Sequence, residues 1–415
     1  MMLNTDRIYN LLIKVLILSS KFILIIVLAK KLEAYELGLY GLIQSIIVYY
    51  MYFCGCDIYT YSTREYIKNK DEAILIKHAK TILFLSCLGL IFAVIFLEGM
   101  EGVFEYIPII LVLCIVEHYN QEVGRILIAK SHQLKAGFQL FIRTAVWCYI
   151  IAIISGLNLV DLNLHFVLVL WATFSFISLF YGLFILFKVT DINFERIVNV
   201  KLTTNWLAKA LKASLVFFVG TLAVRTIFVL DKTYFEYNNQ LKDMGVYVFY
   251  SSFAGVLLSF CDSAIFQFSY PKLISYRKDG LNKLMKNEML KMLAQCSLIF
   301  ILFSIASYLF LGYLINYIGR NEYINNINYF WWLLVINFIL VCSTVFHYVI
   351  YAFNYDKSIM FISVISLLSF ITILIMGYFY NVSVMQTVVF GVFVSTVITC
   401  VMKLMKLRSG FQRDF

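Results

Sequence analysis

LLIKVLILSSKFILIIVLA, residues 11–29, is an apolar run long enough to cross a bilayer. A short polar turn follows, Ala34-Tyr35-Glu36-Leu37-Gly38-Leu39-Tyr40, and then a second apolar run over residues 38–56. That run ends in Asp57 and spills into Arg64-Glu65-Tyr66-Ile67-Lys68. Two lysines, Lys14 and Lys21, interrupt the first run seven residues apart, hence on one face of a helix. A lysine in the middle of an inserting helix costs about 2.5–3.5 kcal/mol. A chain that keeps two is expected to turn them towards a wet cavity rather than towards acyl chains. The run is too long for a signal-peptide core and leads into Lys30-Lys31 rather than small residues, so it reads as a retained span.

The composition agrees. Of 415 residues, 62% are hydrophobic and only 14% charged, which no soluble domain matches. The expected fold is an all-α polytopic membrane protein, because runs of this length without alternation cannot be barrel strands. Further runs lie at 81–97, 106–123, 137–156, 164–187, 210–230, 245–268, 292–311, 329–352, 359–380 and 384–402, which makes twelve spans and puts both termini on one side. The connections on that side, with Lys212 at the mouth of the seventh run, hold 25 Lys and Arg; the opposite connections hold five. That split predicts cytoplasmic termini. It also accounts for the net charge of +10 without any nucleic-acid partner. The nine cysteines lie almost wholly in apolar runs and read as small core residues; no cofactor or metal is expected from them.

A weak internal repeat divides the chain. Asp243-Met244-Gly245-Val246-Tyr247 opens the eighth run as Glu36-Leu37-Gly38-Leu39-Tyr40 opens the second. Lys21 and Arg225 precede the two glycines by similar distances, and Asp57 and Asp262 follow them. The expected domains are therefore a six-helix bundle over 1–187, a cytoplasmic linker over 188–209, and a second bundle over 210–415. Parallel repeats of this kind occur in transporters.

The ionisable residues inside the spans are the candidate site. Lys21, with Arg225, Lys14 and Arg143, would form a cationic wall for an anionic headgroup; for Lys14, Arg143 and Arg225 the plainer reading is an anchor reaching the interface or an ion pair. Glu117 sits in mid-span beside His118, either as a protonation-coupling carboxylate or as an ion-pair partner of Lys21 or Arg143. Asp57 and Asp262, at the cytoplasmic ends of their runs, would cap helices or pair with Arg64, Lys68 or Lys272. Tyr49, Tyr50 and Tyr52 are candidates for stacking on sugar faces, among many tyrosines that belong to the interface belt. Walker, dinucleotide, HExxH and nucleophile-elbow signatures are missing, so neither direct ATP drive nor an enzyme is expected.

Ala29-Lys30-Lys31-Leu32, the Gly38-Leu39-Tyr40 opening, Gly55 before Arg64-Glu65, Gly124-Arg125-Ile126-Leu127-Ile128-Ala129-Lys130, the second Gly245-Val246-Tyr247 and Pro271 stand in an order that resembles polysaccharide exporters of the MOP superfamily, in particular O-antigen flippases of Wzx type. Ser214-Leu215-Val216 lacks a proline that many such proteins carry there. The resemblance implies a MATE-like pair of six-helix bundles in a bacterial inner membrane. It also implies the cargo, an oligosaccharide on undecaprenyl pyrophosphate, moved between leaflets by alternating access. Membrane lipids, a polysaccharide polymerase and a chain-length regulator are the implied partners. Two alternatives stay open: a cation-coupled antiporter of MATE type, for which Glu117 would be the acidic site, and a membrane-embedded polymerase, which would need a large external loop that this chain lacks.

Overall fold

Backbone in hydrocarbon must satisfy its own hydrogen bonds, and every apolar run becomes a helix. The computed structural model describes residues 2–190, 192 and 194–413, with side chains described between Tyr9 and Gln412 except at 191, 193 and 194. Among these residues there is no strand, and twelve helices are long and apolar enough to span a membrane. In chain order, spans one to six are Tyr9–Lys31, Ala34–Gly55, Glu72–Glu98, Glu101–Ala129, Gln133–Gly156 and Leu164–Val189. Spans seven to twelve are Thr204–Tyr237, Leu241–Lys278, Asn282–Ile318, Ile327–Ala352, Asp356–Phe379 and Val384–Gln412.

Several helices outgrow the runs that seed them. Span nine extends past 292–311 at both ends, and span twelve runs ten residues beyond 402. Polar turns continue a helix readily where water meets their side chains. The expected linker 188–209 shrinks accordingly. Its ends belong to spans six and seven, a short helix Phe194–Asn199 stands between them, and residues 191 and 193 lie outside the described residues. Local chemistry sets the ends: the Asp71 carboxylate accepts the Ala73 N–H (2.9 Å) to start span three. Asn163 does the same for Phe166 (2.8 Å) at span six, and Gly319 at φ 75° closes span nine.

The chain forms two units. Unit 1 comprises Met1–Leu32 and Leu42–Phe218; unit 2 comprises Glu33–Gly41 and Val219–Phe415. The first turns of span two thus go with the second unit, and the residues between spans six and seven go with the first. In unit 1, span one packs on span five, and span four on span six. In unit 2, spans ten and eleven each pack on span twelve, and span eight packs on span ten.

The two glycines of the repeat meet inside unit 2. A Cβ on Gly245 would lie 1.8 Å from the Ala34 carbonyl oxygen, and one on Gly38 would lie 2.7 Å from that of Leu241. The start of span two and the start of span eight therefore touch backbone to backbone, which only glycine permits. Tyr247 of the same motif donates its hydroxyl to Asp231 Oδ2 (2.7 Å), tying span eight to span seven.

Two spans carry a π-helical turn. Ile142–Val146 interrupts span five at Arg143, and Asp262–Phe266 interrupts span eight just before Pro271. Pro271 removes one backbone donor from the α-helical stretch that follows the second of these turns. The proline therefore lies within the helix, where the sequence placed it after the span.

Candidate functional site

In unit 1, three polar groupings follow one another from mid-span to the basic end. The innermost surrounds Glu117, which is 3% exposed on span four. Its Oε1 accepts the Trp171 indole N–H (2.9 Å) and the Ser175 hydroxyl (2.5 Å), and its Oε2 accepts Nε–H of Arg143. The π turn of span five brings Arg143 there, and the Trp147 indole occupies the Arg143 carbonyl (3.0 Å). Trp147 and Trp171 stack with centroids 5.8 Å apart. Glu117 therefore has a full set of donors and belongs to a rigid ion pair.

Span one lies alongside, held by the Ser19 and Tyr149 hydroxyls (2.7 Å) and by Tyr149 donating to the Leu16 carbonyl (2.8 Å). Lys14 and Lys21 are themselves exposed, although Ile17, Leu24 and Leu28 on the same stripe of the helix are buried. Lys21 is within electrostatic range of Arg143, Glu117 and the Cys148 thiol. The acid of this grouping thus faces inward, and the lysines stay accessible.

The second grouping is a chain, with His78 Nδ1 to the Ser62 hydroxyl (3.0 Å), His78 Nε2 to Glu122 Oε2 (3.0 Å), and Arg125 to Glu122 Oε1 (2.5 Å). The Arg125 guanidinium lies 3.7 Å over the Tyr59 ring. His118, on the same helix, is fully buried, with its ring edge-on to that of Tyr50 (6.2 Å between centroids). His78 is part of this site only through the fold, since in the sequence it stands in a basic connection.

The third grouping opens at the basic end. After Gly55 the backbone makes two successive left-handed residues, Cys56 (φ 44°) and Asp57 (φ 49°), a conformation costly for side chains other than glycine. Asp57 is buried, and its carbonyl caps the helix Tyr59–Asn69 by accepting the Thr60 N–H (3.0 Å) and hydroxyl (2.8 Å). This turn aims Thr60, Arg64 and Lys68 along one side of that helix, into a cavity of about 220 Å³ closed by Ala213 and Phe217 of span seven. Arg64 lies 5.7 Å over the Phe217 ring, and Glu65 accepts the Trp206 indole N–H (2.8 Å). Burial pushes the Cys56 thiol, beside this turn, up to about 11. Of the basic partners considered for Asp57 and Asp262, Lys272 stands 3.7 Å from Glu288 of span nine, because it lies about three turns beyond Asp262 along span eight.

The tyrosines divide. Tyr49 stacks on Phe53 (6.1 Å) and Tyr52 lies 6.0 Å from Arg125. Tyr50 is 4% exposed and donates to the Ser86 carbonyl (3.1 Å), so its ring is not open to a sugar. Residues three apart share a helix face and a residue one position on does not, which separates Tyr50 from the other two.

Unit 2 holds Arg225, half-buried on span seven, and Asp262, exposed at the π turn of span eight. Two polar residues there escaped the sequence reading. Asp231 is 1% exposed, paired with Lys232 (3.1 Å) and Tyr247. Lys403 is 8% exposed and donates to the Ser343 hydroxyl (3.1 Å), with no carboxylate paired to it among the described residues. Lys403 reads as tail only if the last span stops at 402; apolar residues through Leu407 were the signal to extend it. No group of His, Cys, Asp and Glu able to hold a metal exists among the described residues.

No protein-family model matches the chain, and no curated protein matches it in sequence. Solved structures do match in fold. An inward-facing multidrug resistance MATE family transporter of the MOP superfamily superposes with a TM-score of 0.71 at 12% identity, over 97% of this chain and 98% of that one. A MATE protein in a bent conformation gives 0.59 at 11% identity, over 99% of this chain and 97% of the other. An outward-facing MATE family transporter of the same superfamily gives 0.57 at 12%, over 98% of each. The chain thus has the MATE-like fold of a multi-pass membrane protein, twelve helices in two six-helix bundles.

Proposed function

We propose that this protein moves a lipid-linked oligosaccharide, carried on undecaprenyl pyrophosphate, from the inner to the outer leaflet of a bacterial cytoplasmic membrane by alternating access. One observation carries the reading: in unit 1 the acids Glu117 and Glu122 are buried in pairs with Arg143 and Arg125, whereas Lys14, Lys21, Arg64 and Lys68 are exposed. Glu117 and Glu122 are buried and fully engaged. Lys14 and Lys21 are exposed on a stripe of span one whose apolar members are buried, and Arg64 and Lys68 line an open cavity at the basic end. A pyrophosphate carries at least two negative charges, and its cost of leaving the interface falls when it exchanges water for fixed ammonium and guanidinium groups. Of the three candidate tyrosines in span two, Tyr49 and Tyr52 are left for sugar contact. Lys21 and Arg225 are the proposed cations of the path through the membrane, one in each unit.

Lipid analysis of a deletion strain tests this directly. Sugar-loaded polyprenyl pyrophosphate should accumulate on the cytoplasmic side; its absence would remove the cargo assignment. Lys21→Ala or Arg225→Ala should abolish surface polysaccharide while protein stays in the membrane, and normal polysaccharide in both would refute the cationic path. Lys21→Arg should be tolerated better than Lys21→Glu.

The second reading is a cation-coupled antiporter of small molecules, which the fold of the MATE transporters favours. It predicts pH-driven efflux of a fluorescent organic cation from vesicles, abolished by Glu117→Gln. Efflux of that kind with normal surface polysaccharide in the deletion strain would replace the first reading.

A further inference from the structure

Unit 2 contains a groove that belongs to neither the mid-span cations nor the buried pairs. It lies between the first turns of span eleven and the last turns of span twelve, antiparallel neighbours whose adjoining ends are on the basic side. The cavity measures about 600 Å³. Its chemistry changes along its length. At the helix ends stand the ammonium groups of Lys357 and Lys406 and the hydroxyls of Ser358 and Ser409. About one turn deeper, some 6 Å at 1.5 Å per residue, the wall becomes Phe361, Ile362, Met402 and Met405. Phe361 is 60% and Met405 64% exposed, so the apolar part opens sideways into the hydrocarbon rather than closing as a pocket.

Lys406 is held in place: its ammonium lies 4.5 Å over the Tyr355 ring, and the Ser409 hydroxyl donates to its carbonyl (2.8 Å). Asp356, the adjacent acid, opens span eleven. A small free anion would use only the polar end and leave the apolar wall uncovered. A neutral lipid would leave the polar end, two lysines against Asp356, with an excess of positive charge. An amphiphile with a phosphate at one end and chains at the other satisfies both parts.

From this juxtaposition we infer that the groove is a binding site for an anionic phospholipid of the surrounding leaflet, its phosphate between Lys357 and Lys406 and an acyl chain along Phe361 and Met405. The inference stands apart from the proposed cargo, since it uses other residues in one unit.

Each lysine beside an anionic headgroup contributes a factor of about five in affinity. The test uses the purified full chain in neutral detergent, titrated with phosphatidylglycerol, with phosphatidylcholine of the same chains, and with glycerol phosphate, binding being read by native mass spectrometry and by the thermal midpoint. Phosphatidylglycerol should bind saturably and raise the midpoint, phosphatidylcholine should not, and glycerol phosphate should not compete. K357Q/K406Q should lose tenfold or more in phosphatidylglycerol affinity and become insensitive to headgroup charge. Phe361→Ala with Met405→Ala should weaken binding while keeping the headgroup preference. Equal binding of the two lipids by the wild-type protein would overturn the site, whatever the variants do. So would an unchanged double-lysine variant, and competition by glycerol phosphate would reassign the polar end to a free anion.

Discussion

Gly245→Ala is the sharpest perturbation available, because the structure says which atoms collide. The added Cβ would stand 1.8 Å from the Ala34 carbonyl oxygen, 2.6 Å from its carbon and 3.1 Å from its Cα. All three are backbone, so no rotamer change relieves the clash, and the first turns of span two must retreat by more than 1 Å. A gap of about 0.5–1 Å already forfeits a quarter to a half of a van der Waals contact, and retreat opens one along the whole crossing, including the contact at Gly38. Overpacking costs about 1–3 kcal/mol when side chains can yield; here the expected loss is at the top of that range or above it. The same helix supplies the control. Gly255 has nothing within 4 Å of its would-be Cβ, so Gly255→Ala should gain about 0.8–1 kcal/mol of helix propensity. Gly41 supplies a graded case: the three atoms nearest its Cβ would all belong to the Val248 side chain, the first at 2.4 Å, so Gly41→Ala should be rescued by Val248→Ala, whereas no single truncation rescues Gly245→Ala. Thermal unfolding of the purified variants in one detergent reads all of these. A Gly245→Ala midpoint at or above that of Gly255→Ala would refute the backbone crossing.

Glu117→Ala strands the Arg143 guanidinium inside unit 1 and should destabilise by about 3–5 kcal/mol. Glu117→Gln keeps an acceptor for Trp171 and Ser175 and should cost clearly less; equal midpoints would show that the pair contributes nothing. Lys403→Met removes a buried cation whose donors reach the hydroxyl and carbonyl of Ser343 and should be neutral or stabilising, while Ser343→Ala should cost about 1 kcal/mol. A severe loss in Lys403→Met alone would mean that the ammonium has a partner in the working cycle. Burial raises the Cys56 thiol to about 11, so in a variant keeping only Cys56, maleimide labelling at pH 7.5 should be slow in the folded protein and fast after denaturation. Because the folded value is raised, this thiol's contribution to stability is present at neutral pH and is lost as pH climbs past the unfolded value. Labelling of the folded protein that saturates near pH 8 would contradict the burial.

Twelve spans, their approximate limits and the ionisable residues inside them were legible in the chain itself, because hydropathy is local and an apolar segment of spanning length has no structure but a helix open to it. The excess of Lys and Arg in alternate connections is a property of the chain in the same way. Partners were not legible. Lys21 or Arg143 stood equally for Glu117, and only the π turn in span five, with Trp171 and Ser175 arriving from span six, places Arg143 on the carboxylate. Tyr49, Tyr50 and Tyr52 look alike in a row, yet packing buries the middle one. The matching glycines looked like the mark of two halves, each with its own copy; folded, Gly38 and Gly245 lie against one another inside unit 2. Lys403 lies in the core rather than the tail because span twelve continues ten residues past its apolar run. Hydropathy is set by each residue's own transfer free energy, whereas a partner is set by which helix faces which, and that depends on packing among residues tens to hundreds of positions apart.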